Sequence, residues 1–348
     1  MQNNPENPKP EDPTLIGRLS AFAETALLLI GGSLAARALA DLLALGNREQ
    51  RDALLYGAGG PQWLPAASDE AQWLLLRFGL TLVVAWLVAW WLGGPQRKLA
   101  GLTRGERSWS ELIGFGVVMG ILLAAPAFGG RVLNDMYGFG ENTPFWDLMA
   151  RHPWTFEFWI YMAASSFVIV PIVEELFFRS YQLGRFRMHF SAGGAALLSA
   201  AFFWVSHGQY LRADPYLLAN SALVFVGAAI MAWSVIRTGS IVPALIAHVI
   251  FNIPMTQPFQ IGVVVLALLL IVVLFRRLGA AAAGFFNTLA STREWLFLIG
   301  MTLVLAACAF LVRTYEQALL PLIGVFALVV LWGLVRRAPW ARRPAAPT

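Results

Sequence analysis

Six polar residues within apolar stretches carry whatever chemistry this chain performs. Glu174, Glu175 and Arg179 fall in Pro171-Ile172-Val173-Glu174-Glu175-Leu176-Phe177-Phe178-Arg179, His207 ends Phe203-Trp204-Val205-Ser206-His207, and His248 and Asn252 bracket His248-Val249-Ile250-Phe251-Asn252. Charge inside a membrane costs roughly 2.5–3.5 kcal/mol per residue on the mildest scale, so such residues point to function. Helical spacing separates their roles. Glu175 and Arg179 are four apart with the glutamate first, the favourable order for an ion pair. Glu174 lies about 100° round the helix and is left without a local partner. His248 and Asn252, also four apart, project from one face.

A carboxylate withdrawn from water accepts a proton more readily, which suits a general base acting on water. A histidine opposite can share that water or protonate a leaving amine. A second histidine and an asparagine can donate to a developing oxyanion. These parts match water attack on an amide bond. No serine or cysteine nucleophile is evident, since Ser206 is expected about 100° away from His207 and Cys308 has no partner nearby in sequence. Glu174, His207 and His248 could supply three zinc ligands with water as the fourth. The chain lacks His-Glu-x-x-His, however, and asparagine is a poor zinc ligand, so the reading favours no metal or other cofactor.

The composition says what must position these groups. Of 348 residues, 58% are hydrophobic and 13% charged, and mean hydropathy is +0.64, far from the roughly 25% charge of soluble domains. The expected fold is all-α: a polytopic transmembrane bundle of about ten helices, eight at the fewest, with the motifs on the fourth to seventh. A span needs about 20 mostly apolar residues. The expected spans are 19–45, 71–93, 109–128, 155–178, 192–209, 216–236, 240–254, 258–275, 295–312 and 318–335. Counted at the rise per residue from the nearest cytoplasmic arginine or span end, the functional groups lie about 12–22 Å deep, close enough to share one cavity.

The expected organisation is a disordered tail over 1–15, helices and a non-cytoplasmic loop over 16–154, a catalytic core over 155–255, further helices over 256–335 and a basic tail over 336–348. Residues 129–153 are expected to form an aromatic-anchored loop, and 279–292 an interfacial segment. His152 and His189 read as ordinary interfacial residues. Placing loops alternately on two sides gathers Lys9, Arg18, Arg97, Lys98, Arg104, Arg107, Arg185, Arg187, Arg237, Arg276, Arg277, Arg293, Arg336, Arg337, Arg342 and Arg343 on one side. Only Arg48, Arg51, Arg131, Arg151, Arg212 and Arg313 fall on the other, so both termini are expected to be cytoplasmic. The net charge of +5 therefore reads as topology and contact with lipid head groups, not nucleic acid. The single cysteine excludes an internal disulfide.

Glu-Glu-x-x-x-Arg at 174–179, Phe-x-x-x-His at 203–207 and His-x-x-x-Asn at 248–252 resemble the three motifs of the CAAX-protease and bacteriocin-processing (CPBP, or Abi) family of intramembrane proteases. The Ras-converting prenyl-protein endopeptidase is a branch of that family. The resemblance covers about residues 155–255. It implies Glu174 as base on water, His207 as its partner, His248 and Asn252 as the oxyanion site, and Glu175 with Arg179 holding the first motif. It implies a membrane-associated peptide or protein substrate and leaves a glutamate peptidase and a metalloprotease both open. The two lysines beside abundant arginine, tryptophan and alanine suggest a high-GC bacterial coding sequence, hence an inner-membrane location. Two rival functions use the same residues: an ion-coupled transporter with a Glu/His relay, which the lack of an internal repeat disfavours, and a non-catalytic membrane scaffold.

Overall fold

The computed structural model describes residues 14–43, 45, 48–92, 101–140, 144–210, 214–287, 292–314 and 326–330. Helices dominate: α1 Leu15–Leu43, α2 Arg48–Tyr56, α3 Trp63–Leu74, α4 Leu80–Leu92, α5 Trp109–Tyr137, α6 Pro144–Arg151 and α7 Phe156–Met162 come first. They are followed by α8 Ile169–Glu174, α9 Leu183–Arg187, α10 Ala192–Ser206, α11 Pro215–Thr238, α12 Val242–Asn252, α13 Gln257–Asn287 and α14 Thr292–Thr314. Six helical stretches among the described residues are long and apolar enough to cross a membrane, and three more are apolar but shorter. This is an all-α membrane bundle. Nine of the ten expected spans correspond to these nine stretches; of the tenth, 318–335, only 326–330 is described, as helix.

Several boundaries differ from expectation. Helix occupies much of the expected loop 129–153: α5 continues to Tyr137, where Gly138 closes it at φ 65°, and α6 follows. The left-handed turn suits glycine, and the helix runs through Pro126 and Gly129-Gly130 to reach it. The expected interfacial segment at 279–292 is instead the end of α13 as far as Asn287, because Ala280 to Ala283 are strong helix formers. The second span begins at Trp63, and the fourth reaches Arg187. The tails expected before Pro13 and after Arg336 lie outside the described residues.

The fourth span is not a regular helix. Residues 163–167 and 175–182 adopt wider π-helical turns on either side of α8. Pro171 explains the first: it has no N–H and its ring crowds the preceding turn, so Val168 bonds back to the Ala163 carbonyl, five residues earlier, at 3.1 Å. Such bulges commonly mark functional segments. At 15 and 11 residues, α10 and α12 are shorter than the ~20 residues a full crossing requires. His207 stands just beyond the C-terminal end of one and Asn252 at that of the other.

Small residues let the core close. Ala192 to Ala201 of α10 are mostly alanine and glycine and, Leu197 apart, buried among aromatics such as Phe178, Phe186 and Phe202. In α5, Gly116 and Gly120 form a Gly-x-x-x-Gly stripe against α12. A Cβ at Gly116 would sit 3.0 Å from the Pro243 backbone, and one at Gly120 would sit 3.0 Å from Ala247 Cα. That approach is the small-residue packing favoured between membrane helices, and it fixes the helix that carries His248.

Candidate active site

Glu174 closes α8 and Glu175 opens the π-helical turn. Ser199 of α10 holds this segment by donating to the Phe178 carbonyl at 3.1 Å and contacting Gln182 Oε1 at 3.0 Å. Helix α10 ends one residue before His207, which takes φ −94° and ψ 46°. Leaving the helix swings the imidazole back, so that Nδ1–H donates to the Phe203 carbonyl at 2.8 Å. A carbonyl only accepts, which assigns the proton to Nδ1 and turns Nε2 outward. Phe203 packs 4.3 Å, centroid to centroid, against the His207 ring, as its spacing predicts.

Nε2 of His207 faces Glu174 Oε2 at 4.0 Å. His248 Nε2, arriving from α12, stands 3.8 Å from the same oxygen. Three groups separated by 33 and 41 residues of chain thus meet at one atom. That atom is buried and has no hydrogen-bond partner among the described residues, whereas buried polar atoms are nearly always satisfied. Both separations exceed a direct hydrogen bond, which ends near 3.2 Å, and both are spans that one bridging water can close.

The other nitrogen of His248 is fixed as firmly. Its Nδ1 lies 2.8 Å from Glu175 Oε1, and the opposite carboxylate oxygen lies 3.3 Å from Arg179 Nε. Glu175 therefore engages two side chains at once, the expected Arg179 and a histidine from another helix. Arg179 is fully buried, and its guanidinium lies 4.3 Å over the Phe203 ring, a cation–π contact. Phe203 in turn meets His248 edge-on at 5.7 Å, so one aromatic ring touches Arg179, His207 and His248.

Asn252 is placed differently from the simplest expectation. Its amide donates to the Ser166 carbonyl at 3.0 Å. Ser166 lies in the π-helical turn, and in that i→i−5 register its carbonyl would be served by residue 171, a proline with no N–H. Asn252 supplies the missing donor and ties α12 to the distorted segment, with a second amide N–H remaining. It also lines a cavity with Phe203, His207, Tyr210, His248 and Phe251, walled further by Leu123, Val224, Gly227 and Met231.

The remaining candidates resolve simply. Ser206 Oγ comes within 3.3 Å of His207 Nδ1, closer than regular helix geometry allows, because the helix ends there. It donates to the Phe203 carbonyl at 2.7 Å, on the side of the ring turned from Glu174. His189, expected at an interface, is fully buried, and its carbonyl accepts from Arg18 at 3.0 Å. Cys308 is a buried free thiol. Among the described residues no three His, Cys, Asp or Glu side chains are arranged to hold a metal ion. Donors of a tetrahedral zinc site with bonds of about 2.1 Å stand about 3.4 Å apart, and the separations at Glu174 Oε2 are wider.

Two features escaped the sequence reading. One is the Glu175–His248 contact, which spans helices and leaves no local spacing. The other is Arg77, in the middle of the second span on a third π-helical turn, Leu75–Gly79; an arginine inside an apolar run was the available signal. Residues 156–254 match the family described as Rce1-like, type II CAAX prenyl endopeptidase Rce1-like. The match contains Glu174, Glu175, Arg179, His207, His248 and Asn252. No curated protein and no solved structure matches the chain.

Proposed function

Residues 156–254 form a domain of the Rce1-like, CPBP family, and from that premise we propose that the chain is an intramembrane endopeptidase in which Glu174 and His207 activate water. The observation that carries the reading is Glu174 Oε2, buried, unpartnered, and facing two imidazole nitrogens at 3.8 and 4.0 Å. Membrane helices and the family together make it an integral membrane protein of CAAX-protease-like type. We extend this to a bacterial inner membrane with both termini cytoplasmic, on the arginine bias of the loops.

A water between Glu174 and His207 donates one O–H to the carboxylate and the other to Nε2, which the Phe203 hydrogen bond leaves as an acceptor. Its lone pairs then point at the carbonyl carbon of a bound amide. As the C–O bond forms, the water proton passes to Glu174, and the carbonyl oxygen gains negative charge. His248 Nε2–H and the second amide N–H of Asn252 receive that charge. For His248 to donate there while Nδ1–H binds Glu175, the ring carries both protons. The charges of Glu174, Glu175, Arg179 and His248 then sum to zero, which a low-dielectric interior favours. Collapse breaks the C–N bond, and the proton returns from Glu174 by way of His207 to the leaving amine. No step uses a metal.

The test is cleavage of membrane-associated peptides by the purified protein in detergent. Glu174→Ala and His207→Ala are expected to abolish cleavage while elution profile and Tm stay those of a folded protein. Undiminished cleavage by both variants would sink the mechanism. Substrate-driven proton flux in vesicles, lost in Glu174→Gln, would favour the transporter instead.

A further inference from the structure

Most of the cavity that meets His207, His248 and Asn252 is apolar, and the mechanism above leaves that part unused. Its wall on α11 is a single helix face, Val224, Gly227, Ala228 and Met231, and Leu123 of α5 also lines it. Gly227 is the residue there that packing does not account for. It is buried in ordinary helix, where glycine holds the structure less well than alanine. The glycines of α5 answer to close contact: a Cβ at Gly116 or Gly120 would collide with α12 at 2.9–3.0 Å. A Cβ at Gly227 would meet one atom within 4 Å, Leu123 Cδ2 at 4.0 Å. Small residues between membrane helices bring backbones together, whereas this one is buried and leaves space.

Size says what fills the space. The cavity measures about 60 Å³, and a water-sized group needs roughly 10–15 Å³ of such room, so roughly four to six groups fit. That matches the four side-chain carbons of leucine. It exceeds the methyl of alanine and falls short of the seven carbons of phenylalanine and of a whole lipid chain.

The polar end of the cavity says which side chain that is. His248 and Asn252, which receive the developing oxyanion, line the same space, so the side chain beside them belongs to the residue whose carbonyl is attacked. We infer that Gly227 sets the side-chain size accepted at that residue, and that the pocket takes a leucine-sized aliphatic group immediately before the cut. The inference rests on the peptidase reading for the existence of a cut. Filling the pocket requires no turnover.

The experiment uses the full chain in detergent and end-blocked peptides, acetyl-Ala-Ala-Ala-Xaa-Ala-Ala-Ala-amide, with Xaa as Ala, Leu or Phe, so that Xaa alone sets the register. Products are mapped by mass spectrometry, and kcat/KM is compared in wild type, Gly227→Ala, Gly227→Val and Leu123→Ala. Wild type is expected to cut after Xaa and to favour Leu over Ala by at least about 10²-fold, since one methylene in a fitted pocket is worth about 10–200-fold. It should also favour Leu over Phe. Gly227→Ala should shrink the Leu preference and Gly227→Val abolish it. Leu123→Ala, which enlarges the pocket from α5, should raise Phe relative to Leu by at least about tenfold. Binding of the same peptides to Glu174→Gln, with and without Gly227→Val, repeats the comparison without turnover by microscale thermophoresis. Equal cleavage of the Ala and Leu peptides by wild type, a cut elsewhere than after Xaa, or a Leu preference unchanged in Gly227→Val overturns the inference and leaves the peptidase reading intact. Should Gly227→Val misfold, a Leu preference undiminished in Gly227→Ala overturns it equally. A Leu preference in binding that Gly227→Val removes, in a protein that cleaves no peptide, would sink the peptidase reading and leave the size limit standing.

Discussion

Among the described residues, the charge clusters around Glu24 and around Glu174 are both buried and are built on opposite principles. In one, Glu24 of α1 accepts from Arg185 through both carboxylate oxygens and also from the Tyr181 hydroxyl. In the other, Glu174 Oε2 faces two imidazoles and bonds to neither. The first cluster is saturated, so removing any member leaves a charge stranded. The second is held open by partners that bind the far sides of its members: Phe203 holds His207, Glu175 holds His248, and Asn252 holds the Ser166 turn. The paired carboxylate joins α1 to α9, and the carboxylate left one bond short is the one that faces two imidazoles.

Breaking the saturated cluster should give the largest effect on stability. Glu24→Ala leaves Arg185 buried and unpaired, a loss of roughly 3–5 kcal/mol, visible as a large fall in Tm with cleavage lost in parallel. Restoring neutrality with Glu24→Met and Arg185→Met together should recover much of it. No recovery would mean that the charges do more than balance each other.

At the open cluster, Glu175→Gln keeps a hydrogen bond to His248 but removes the charge that balances it. Turnover should fall about 10²-fold, near 2.7 kcal/mol of barrier. Tm should fall too, because buried Arg179 loses its carboxylate, though by less than in Glu24→Ala, since the amide oxygen and the Phe203 ring still face the guanidinium. A Tm loss as large as that of Glu24→Ala would place Glu175 among the fold-fixing groups and blur the distinction. Gly120→Leu tests the scaffold behind His248. Overpacking there should cost about 1–3 kcal/mol and lower turnover through displacement of α12, whereas Gly79→Ala, where a Cβ meets nothing within 4 Å, should leave both nearly unchanged. The smallest expected effect is that of chelators: cleavage should be indifferent to EDTA and 1,10-phenanthroline, and inactivation reversed by zinc would contradict the metal-free mechanism.

The open cluster was largely legible in the sequence, while the saturated one was not. Glu174, His207, His248 and Asn252 stood out because polar residues in apolar runs are conspicuous, and four-residue spacing correctly paired Glu175 with Arg179. Spacing along one helix says nothing of contacts between helices. For that reason no sequence pattern joins Glu24 to Arg185, 161 residues apart, and Arg185 stood only as a topology signal. Glu175 seemed to serve Arg179 alone. Regular helix geometry also failed where helices end or widen: His207 lies just beyond α10, and Ser206 comes closer to it than 100° of rotation permits. Pro171 was the visible cause of the widened turn, but which group would fill the orphaned Ser166 carbonyl depended on how α12 packs. Gly116 and Gly120 carried a readable helix-packing signal that the reading passed over.

The central claim is that the unsatisfied oxygen of Glu174 exists for catalysis and not for folding. The direct measurement is Glu174→Gln, with cleavage rate and Tm determined on the same preparation. The account predicts that cleavage falls by at least about 10³-fold, as for loss of a general base acting with its partners, while Tm holds or rises because a buried unpaired charge has gone. Cleavage retained, or a fall in Tm matching that of Glu24→Ala, would contradict it.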